Sequence, residues 1–411
     1  MKQVKNLPVG KNIKNGDIFE IENKTNHYTH SFFKYPAKFV PEIPNWFLRN
    51  FTKERDVILD CFCGSGTSLV EAVLMNRVAL GIDFDPLSHL LTKTKTKHLK
   101  KKEIQFIKDN CEELIKPSDE DSYPDIENLD HWFNKENKEK LSNIITNIKK
   151  LETSNQNIVN FLLTAFASII RKSSNADQVS PKPYVSSKVK QIPKDANLLF
   201  LDTVKKNLAV YSDSKFKPKF SSNIIGSDAR QINGYDGKID HVITSPPYIN
   251  AFDYVRVLRL ENLWLKNFNS AEILDHKKKQ IGNELIPSSK YKKKPDSLNI
   301  PILDKKILKI YSVDKIRSHI VYEYFYEMNK NFIAVHSCLK KGGTFCIVIG
   351  NSVIRNEEIE TNKFFIALLK KLQFKLIHNF SYKIKNPYLR IPRSGKGGII
   401  SMDHIIVVKK I

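Results

Sequence analysis

Val57-Ile58-Leu59-Asp60-Cys61-Phe62-Cys63-Gly64-Ser65-Gly66-Thr67 joins a short apolar run to a glycine-bearing loop, and the loop opens a helical pattern. The run reads as a buried parallel strand, and the pattern from Thr67 to about Met75 reads as the helix that follows it. Val78-Ala79-Leu80-Gly81-Ile82-Asp83 is then a second strand that ends on a carboxylate. Strand, glycine loop, helix and strand, with an acid about 20 residues past the first glycine, is how open α/β sheets bind a nucleoside. The glycines let the backbone approach the ligand, and the carboxylate accepts hydrogen bonds from ribose hydroxyls. The dinucleotide fingerprint asks for a third Gly or Ala where this chain has Leu69. Without a pyrophosphate to cradle, that residue is not required, so its absence argues against a dinucleotide.

A second informative stretch lies downstream, where Ile239-Asp240-His241-Val242-Ile243 leads into Thr244-Ser245-Pro246-Pro247-Tyr248. The first half reads as a buried strand that two prolines bring to a stop. Consecutive prolines give a stiff backbone without N–H groups, which holds nearby carbonyls in a fixed direction. Ser245 adds a hydroxyl acceptor and Tyr248 a flat aromatic face. Such a device can grip an exocyclic amino group and stack the ring that carries it.

Together the two stretches resemble the amino-methyltransferases that act on DNA bases with S-adenosylmethionine. In that family the first motif reads D-x-F-x-G-x-G-T, matched here by Asp60, Phe62, Gly64, Gly66 and Thr67. The second reads [DNS]-P-P-[YFW], matched in full by Ser245, Pro246, Pro247 and Tyr248. The resemblance implies a Rossmann-like methyltransferase fold, α/β with a mostly parallel doubly wound sheet. It assigns S-adenosylmethionine binding to Asp60, Phe62, Gly64, Gly66, Thr67 and Asp83. His30-Ser31-Phe32-Phe33-Lys34-Tyr35-Pro36-Ala37-Lys38-Phe39-Val40-Pro41 is similar to the family's N-terminal segment, which closes over the methionine end of the cofactor; this adds Phe39 and Pro41. Asp228, at the end of Asn223-Ile224-Ile225-Gly226-Ser227, matches the acid that faces the adenine edge. One departure is Cys61, where many relatives have Pro.

The 411 residues exceed one typical domain and carry a net charge of +23, which points to a polyanionic partner. Five cysteines, an odd number, argue against a disulfide framework and fit a reducing cytoplasm. Cys61 and Cys63 lack a second pair, so they read as small residues packed in a tight loop, and no metal is expected. The residues Met1 to Lys5 lack the apolar core of a signal peptide, and Ile158 to Ile170 is too short and too polar to span a bilayer. A cytoplasmic protein with no membrane partner is expected.

Along the chain, residues 1–92 are expected to hold an irregular lead-in (1–25), the N-terminal segment and the cofactor half of the catalytic domain. Residues 93–222 form a mainly helical insertion, with helices near Leu141 to Leu151 and Ile158 to Arg171, and are a candidate for target recognition. Residues 223–265 carry the catalytic half, closing on one amphipathic helix from Asp253 to Leu265. Residues 266–318 are a Lys-rich insertion, and 319–411 supply the closing helices and strands, including a Lys340-Lys341-Gly342-Gly343 turn before the strand Thr344 to Gly350. Lys172 and Lys188, set among hydroxyls and an aromatic that suit phosphates, are candidate DNA contacts, as is Lys292, in a Lys run that can track the backbone. Arg256 is another, since the resemblance places it in a D-Y-x-R helix that shapes the base pocket in relatives.

In the family, Ser-Pro-Pro-Tyr leans to N4 of cytosine, while Asp or Asn in the first position leans to N6 of adenine. The cytosine-C5 enzymes use a Cys after a Pro, and no Cys here follows a Pro. The expected activity is therefore site-specific methylation of cytosine N4 in duplex DNA by base flipping. A cognate restriction endonuclease is a possible functional partner. Adenine N6 is the alternative, followed by an RNA base or protein glutamine as substrate. A catalytically silent DNA-binding paralogue is a further rival, but it would be expected to have lost Gly64, Gly66 or Asp83.

Overall fold

In a computed structural model, residues 2–4, 7–8, 12–21, 27–38, 40–151, 155–213, 217–249, 253–384 and 400–411 are described. Eleven strands occur among them. They are β1 (Lys2–Val4), β2 (Ile18–Ile21), β3 (Val57–Asp60), β4 (Val78–Ile82), β5 (Asn223–Gly226) and β6 (Ile239–Thr244), followed by β7 (Leu339–Gly350), β8 (Ser352–Ile354), β9 (Glu357–Ile359), β10 (Phe374–Lys383) and β11 (Met402–Lys410). Nine of them form one sheet in the order β1-β2-β10-β11-β7-β6-β3-β4-β5, and β8 pairs with β9 separately.

The five strands from β7 to β5 run parallel. The chain passes outward through β3, β4 and β5, then returns to lay β6 on the other side of β3. That reversal places a crevice at the carboxyl ends of β3 and β6, where open α/β sheets bind ligands. Antiparallel β11 sits between β7 and β10, so this is a methyltransferase-type variant of the doubly wound sheet rather than the all-parallel dinucleotide one.

Side chains of β3 alternate between the faces as a strand requires. Ile58 joins the core under the helices Glu42–Phe51 and Thr67–Leu74, while Leu59 joins the one under Lys315–Cys338 and Thr361–Lys371. A third core belongs to helices Lys135–Lys149, Gln156–Ile170 and Ala196–Asp213, and takes in Trp264 from beyond β6. No helix among the described residues is long and apolar enough to cross a membrane.

Several expectations change. The lead-in contributes β1 and β2, which extend the sheet beyond β10. The Lys- and Thr-rich stretch that starts at Leu91 begins inside the helix Pro86–Thr96, capped by Asp85, whose side chain accepts from Leu87 N. The segment after Asp253 is two short helices, Tyr254–Val257 and Arg259–Trp264, not one. The glycine pair before Thr344 lies within β7, which begins at Leu339; its ladder to β6 shifts register between Ile239 and His241, absorbing the extra residues.

Candidate active site

The glycine loop turns at the end of β3 through two left-handed glycines, Gly64 (φ 48) and Gly66 (φ 73), the latter capping the helix Thr67–Leu74. Both positions are crowded. A Cβ on Gly64 would lie 3.2 Å from the Tyr35 ring, and one on Gly66 2.8 Å from Thr92 Oγ1. Leu69, which occupies the position of the third fingerprint glycine, reaches across to Gly81 of β4, where a Cβ would stand 2.8 Å from its Cδ1. The close helix–strand approach is thus achieved by a glycine on the strand instead of on the helix. Cys61 and Cys63 are buried in the loop as free thiols, pushed up by that burial.

Asp60 is fully buried and ties three elements together. It accepts from Phe62 N at 3.0 Å, from Thr244 Oγ1 at the end of β6 and from Ser68 Oγ on the helix. Burial pushes its carboxyl up to about 6 against those hydrogen bonds. Its place in the motif is therefore to hold the loop and the end of β6 in one register. Asp83, just past β4, accepts from Gly64 N at 2.7 Å and Asp85 N at 3.0 Å, and its carboxyl is held above the ordinary range by burial. Tyr35 lies on Gly64, bonds to Ser88 Oγ at 3.0 Å and stacks on Tyr254 with ring centroids 6.3 Å apart.

The N-terminal segment is bolted to this loop from below. Glu71, buried on the helix after the loop, receives the Nε2 atoms of His27 and His30 on one oxygen, both at 2.7 Å, and Asn45 Nδ2 on the other at 2.8 Å. Burial works against its charge, but the two histidine hydrogen bonds prevail and hold the carboxyl down at about 2, so the ring nitrogens are the donors. Among the described residues these three are the one His/Cys/Asp/Glu group with metal-ligand spacing, and the hydrogen bonds account for it. Pro41 is buried at the start of the helix Glu42–Phe51; Phe39 lies outside the described residues.

Across the switch point, Ser245 follows β6. Its hydroxyl donates to the Val348 carbonyl of β7 at 3.1 Å. With its proton directed there, the oxygen has lone pairs left to accept a hydrogen bond. The Pro247 carbonyl accepts from Tyr324 Oη at 2.8 Å. The Tyr248 hydroxyl donates to Asp403 Oδ1 at 2.6 Å, and Tyr382 donates to the other oxygen of that carboxylate, also at 2.6 Å. Asp403 is buried in β11, and burial holds its carboxyl above the ordinary range. The Tyr248 ring presses on Gly350 at the end of β7, where a Cβ would lie 2.8 Å from its Cε2.

The structure thus brings Asp60, Phe62, Gly64, Gly66, Thr67 and Asp83 to one side of the crevice and Ser245 to Tyr248 to the other, joined by the Asp60–Thr244 bond. Asp228 sits just past β5, with both carboxylate oxygens on the Arg230 guanidinium (2.8 and 2.9 Å); Arg230 also meets Glu327. Lys172, Lys188, Arg256 and Lys292 are all solvent-exposed. Asp403, Tyr382, Gly350, Glu71 and Tyr35 were not legible as site residues. Of these only Tyr35 stands within a motif, and the rest act through partners far away in the chain.

Residues 2–94 match the DNA methylase family of N6/N4 enzymes. The chain is 24% identical over 399 residues to the type II methyltransferase M.MvaI of Kocuria varians, covering 90% of this chain and 87% of that one. It is 35% identical over 92 residues to M.MjaII of Methanocaldococcus jannaschii (22% of this chain, 17% of that one). It is 24% identical over 337 residues to M.BsoBI of Geobacillus stearothermophilus (72% and 64%). The matched N-terminal stretch spans the glycine loop and the Asp83 strand, and the longest alignment runs on through the Ser-Pro-Pro-Tyr strand. The chain thus resembles the N6/N4 DNA methylases over residues 2–94 and type II methyltransferases over most of its length.

Proposed function

We propose that this chain methylates the exocyclic N4 of cytosine at a specific site in duplex DNA, as the modification enzyme of a type II restriction–modification pair. The observation that carries the reading is the Ser245 hydroxyl at the sheet's switch point, donating to Val348 O and so offering lone pairs. The relatives aligned over most of this chain are type II methyltransferases, which supports the setting.

S-adenosylmethionine supplies an electrophilic methyl group on a sulfonium. On this chain the Gly64–Gly66 backbone, with Phe62 and Thr67, would seat it, and Asp83 would accept from its ribose hydroxyls. Asp228, at the end of β5, is the candidate for the adenine edge, which requires its carboxylate to be shared with Arg230. Asp60 holds the loop to the catalytic strand and does not itself face the ligand.

An exocyclic amine is a poor nucleophile because its lone pair is delocalised into the ring. Acceptors aimed at its two hydrogens draw the nitrogen toward tetrahedral geometry and localise that pair. Ser245 Oγ is one acceptor and the Pro246 carbonyl the other, while the Pro247 carbonyl is engaged by Tyr324. Tyr248, its hydroxyl fixed by Asp403, offers its ring to the base. A base inside a duplex cannot reach these groups and must be flipped out, at a cost of a few kcal/mol, which phosphate contacts from the basic surface offset. The same acceptors suit adenine N6, and Ser in the first position of the motif is what favours cytosine.

Incubation with methyl-labelled S-adenosylmethionine and duplex DNA, followed by digestion to nucleosides and mass analysis, tests the reading. N4-methylcytosine is expected. N6-methyladenine would keep the site and replace the base; no methylated nucleoside on DNA of varied sequence would reject the DNA reading.

A further inference from the structure

Between Ile170 and Ala196 the chain forms no helix and no strand. Irregular segments longer than about 12–15 residues are uncommon in compact domains and usually functional or disordered. This one is built rather than loose. Lys194 N donates to Lys172 O at 3.1 Å, and Asn137 Nδ2 grips the Ser173 and Lys194 carbonyls at 2.9 Å each, closing its neck. Arg171 fills its centre, donating to the carbonyls of Asp177 (2.7 Å), Pro181 (3.0 Å) and Ser180. One oxygen of the Asp177 carboxylate, the single acid of residues 172–194, accepts from the amides of Val179 and Ser180.

Its location follows from packing. The helix Pro86–Thr96 leaves the carboxyl end of β4, beside Asp83. The helix Gln156–Ile170 lies antiparallel to it: Thr94 meets Asn160 and Thr164, while Leu87 and Leu91 cluster with Ala167 and Leu258. The carboxyl terminus of the second helix therefore points to the end of the sheet that carries Asp83 and Ser245, and the loop emerges there.

What the loop presents is also unusual. Residues 178–194 include Lys182, Lys188, Lys190 and Lys194 and no acid, and none of the four forms an ion pair among the described residues. In the Lys-rich insertion Lys277, Lys278 and Lys290 pair with Asp253, Asp275 and Glu323, while Lys279, Lys292, Lys293 and Lys294 form no ion pair among the described residues. Among the loop's cations stand Val179, 88% exposed, and Ile192, 91% exposed. A clamped backbone that holds bare aliphatic side chains between unpaired cations fits a polyanion with apolar edges.

We propose that the loop 172–194 is a preformed duplex-DNA-binding element at the catalytic rim. Its lysines take phosphates, and Val179 and Ile192 press on the apolar base and sugar surface of a groove or opened step, as aliphatic wedges do. The inference rests on the DNA reading above.

The test uses the full-length protein and a plasmid fragment that the wild type methylates, with dissociation constants measured over a salt series. Lys188→Ala with Lys190→Ala should lower the slope of log K against log salt by about 2, at about 0.9 per lost phosphate contact. Val179→Ser with Ile192→Ser should weaken binding about tenfold while keeping the wild-type slope, since apolar burial releases no counterions. Thermal melting and S-adenosylmethionine affinity should match the wild type in both, excluding misfolding. Wild-type slope and affinity in both variants, on DNA that the wild type does methylate, would overturn the loop's role alone. A wild type that methylates no DNA would instead remove the reading beneath it.

Discussion

Replacing Gly350 by alanine places a methyl group against the Tyr248 ring of the Ser-Pro-Pro-Tyr segment. The added Cβ would stand 2.8 Å from Tyr248 Cε2, 3.1 Å from its Cδ2 and 2.6 Å from Ile400 Cγ2. Restoring an ordinary 3.4 Å contact requires the ring to withdraw by about 0.6 Å, since β7 is paired on both sides and yields less. That movement strains the 2.6 Å bond between the Tyr248 hydroxyl and Asp403, so the ring loses its position and its anchor together. Overpacking of this kind costs about 1–3 kcal/mol, which in a chain of this length lowers Tm by only about 1–4 °C. The kinetic effect is larger, because a misplacement approaching 1 Å at reacting groups costs on the order of 10²-fold. We expect kcat at saturating DNA and S-adenosylmethionine to fall about 10- to 100-fold, with cofactor affinity unchanged. Tyr248→Phe, which keeps the ring and deletes the anchor, should lose only severalfold. A Gly350→Ala enzyme with wild-type kcat would refute the claim that the Tyr248 ring position matters to the reaction.

Two further outcomes follow from the cofactor side and from buried charge. Asp83→Asn should weaken S-adenosylmethionine binding by about 10- to 100-fold, the range expected when charge-assisted hydrogen bonds are lost, while leaving duplex binding intact; calorimetric titration of each ligand measures both. Glu261 is buried, and burial pushes its carboxyl up to about 7 against its backbone hydrogen bond and the nearby Arg171. The native state thus keeps the proton between pH 4.5 and 7 while the unfolded chain has lost it, so stability is present below pH 4.5 and is lost as pH rises to 7. Glu261→Gln cannot ionise, so relative to the wild type it should gain up to about 3 kcal/mol across that window and stay level above it. Melting curves from pH 4.5 to 8 that run parallel would contradict the burial argument.

What could be read from the chain was whatever is encoded over a few adjacent residues. The glycine loop, Asp83 and Ser-Pro-Pro-Tyr each announce themselves within one strand and turn, and the parallel order follows from their spacing. The two-sided crevice then depends on Asp60 meeting Thr244, residues 184 apart, and the shape of the catalytic strand depends on Asp403, 155 residues from Tyr248. Neither separation carries a local signal. β10 was invisible for another reason: its ladder slips between Leu376 and His378, which breaks the period-two alternation that marks a strand. β1 and β2 are three and four residues long among Lys, Asn and Gly, and they form by stacking outward from the edge of β10, β2 on β10 and β1 on β2. The break at Leu258 that splits the helix after Asp253 comes without Pro or Gly, so the amphipathic pattern across it read as continuous.

The central claim is that the Ser245 oxygen accepts a hydrogen bond from the target amine. The single-turnover rate of methyl transfer to duplex DNA, measured for the wild type and Ser245→Ala with enzyme in excess and both ligands saturating, tests it most directly. A fall of about 10²- to 10³-fold, the cost of removing one preorganised hydrogen-bonding group at a reacting centre, with unchanged S-adenosylmethionine and DNA affinities, is the predicted result. An unchanged single-turnover rate would place the activation of the amine elsewhere and contradict the account.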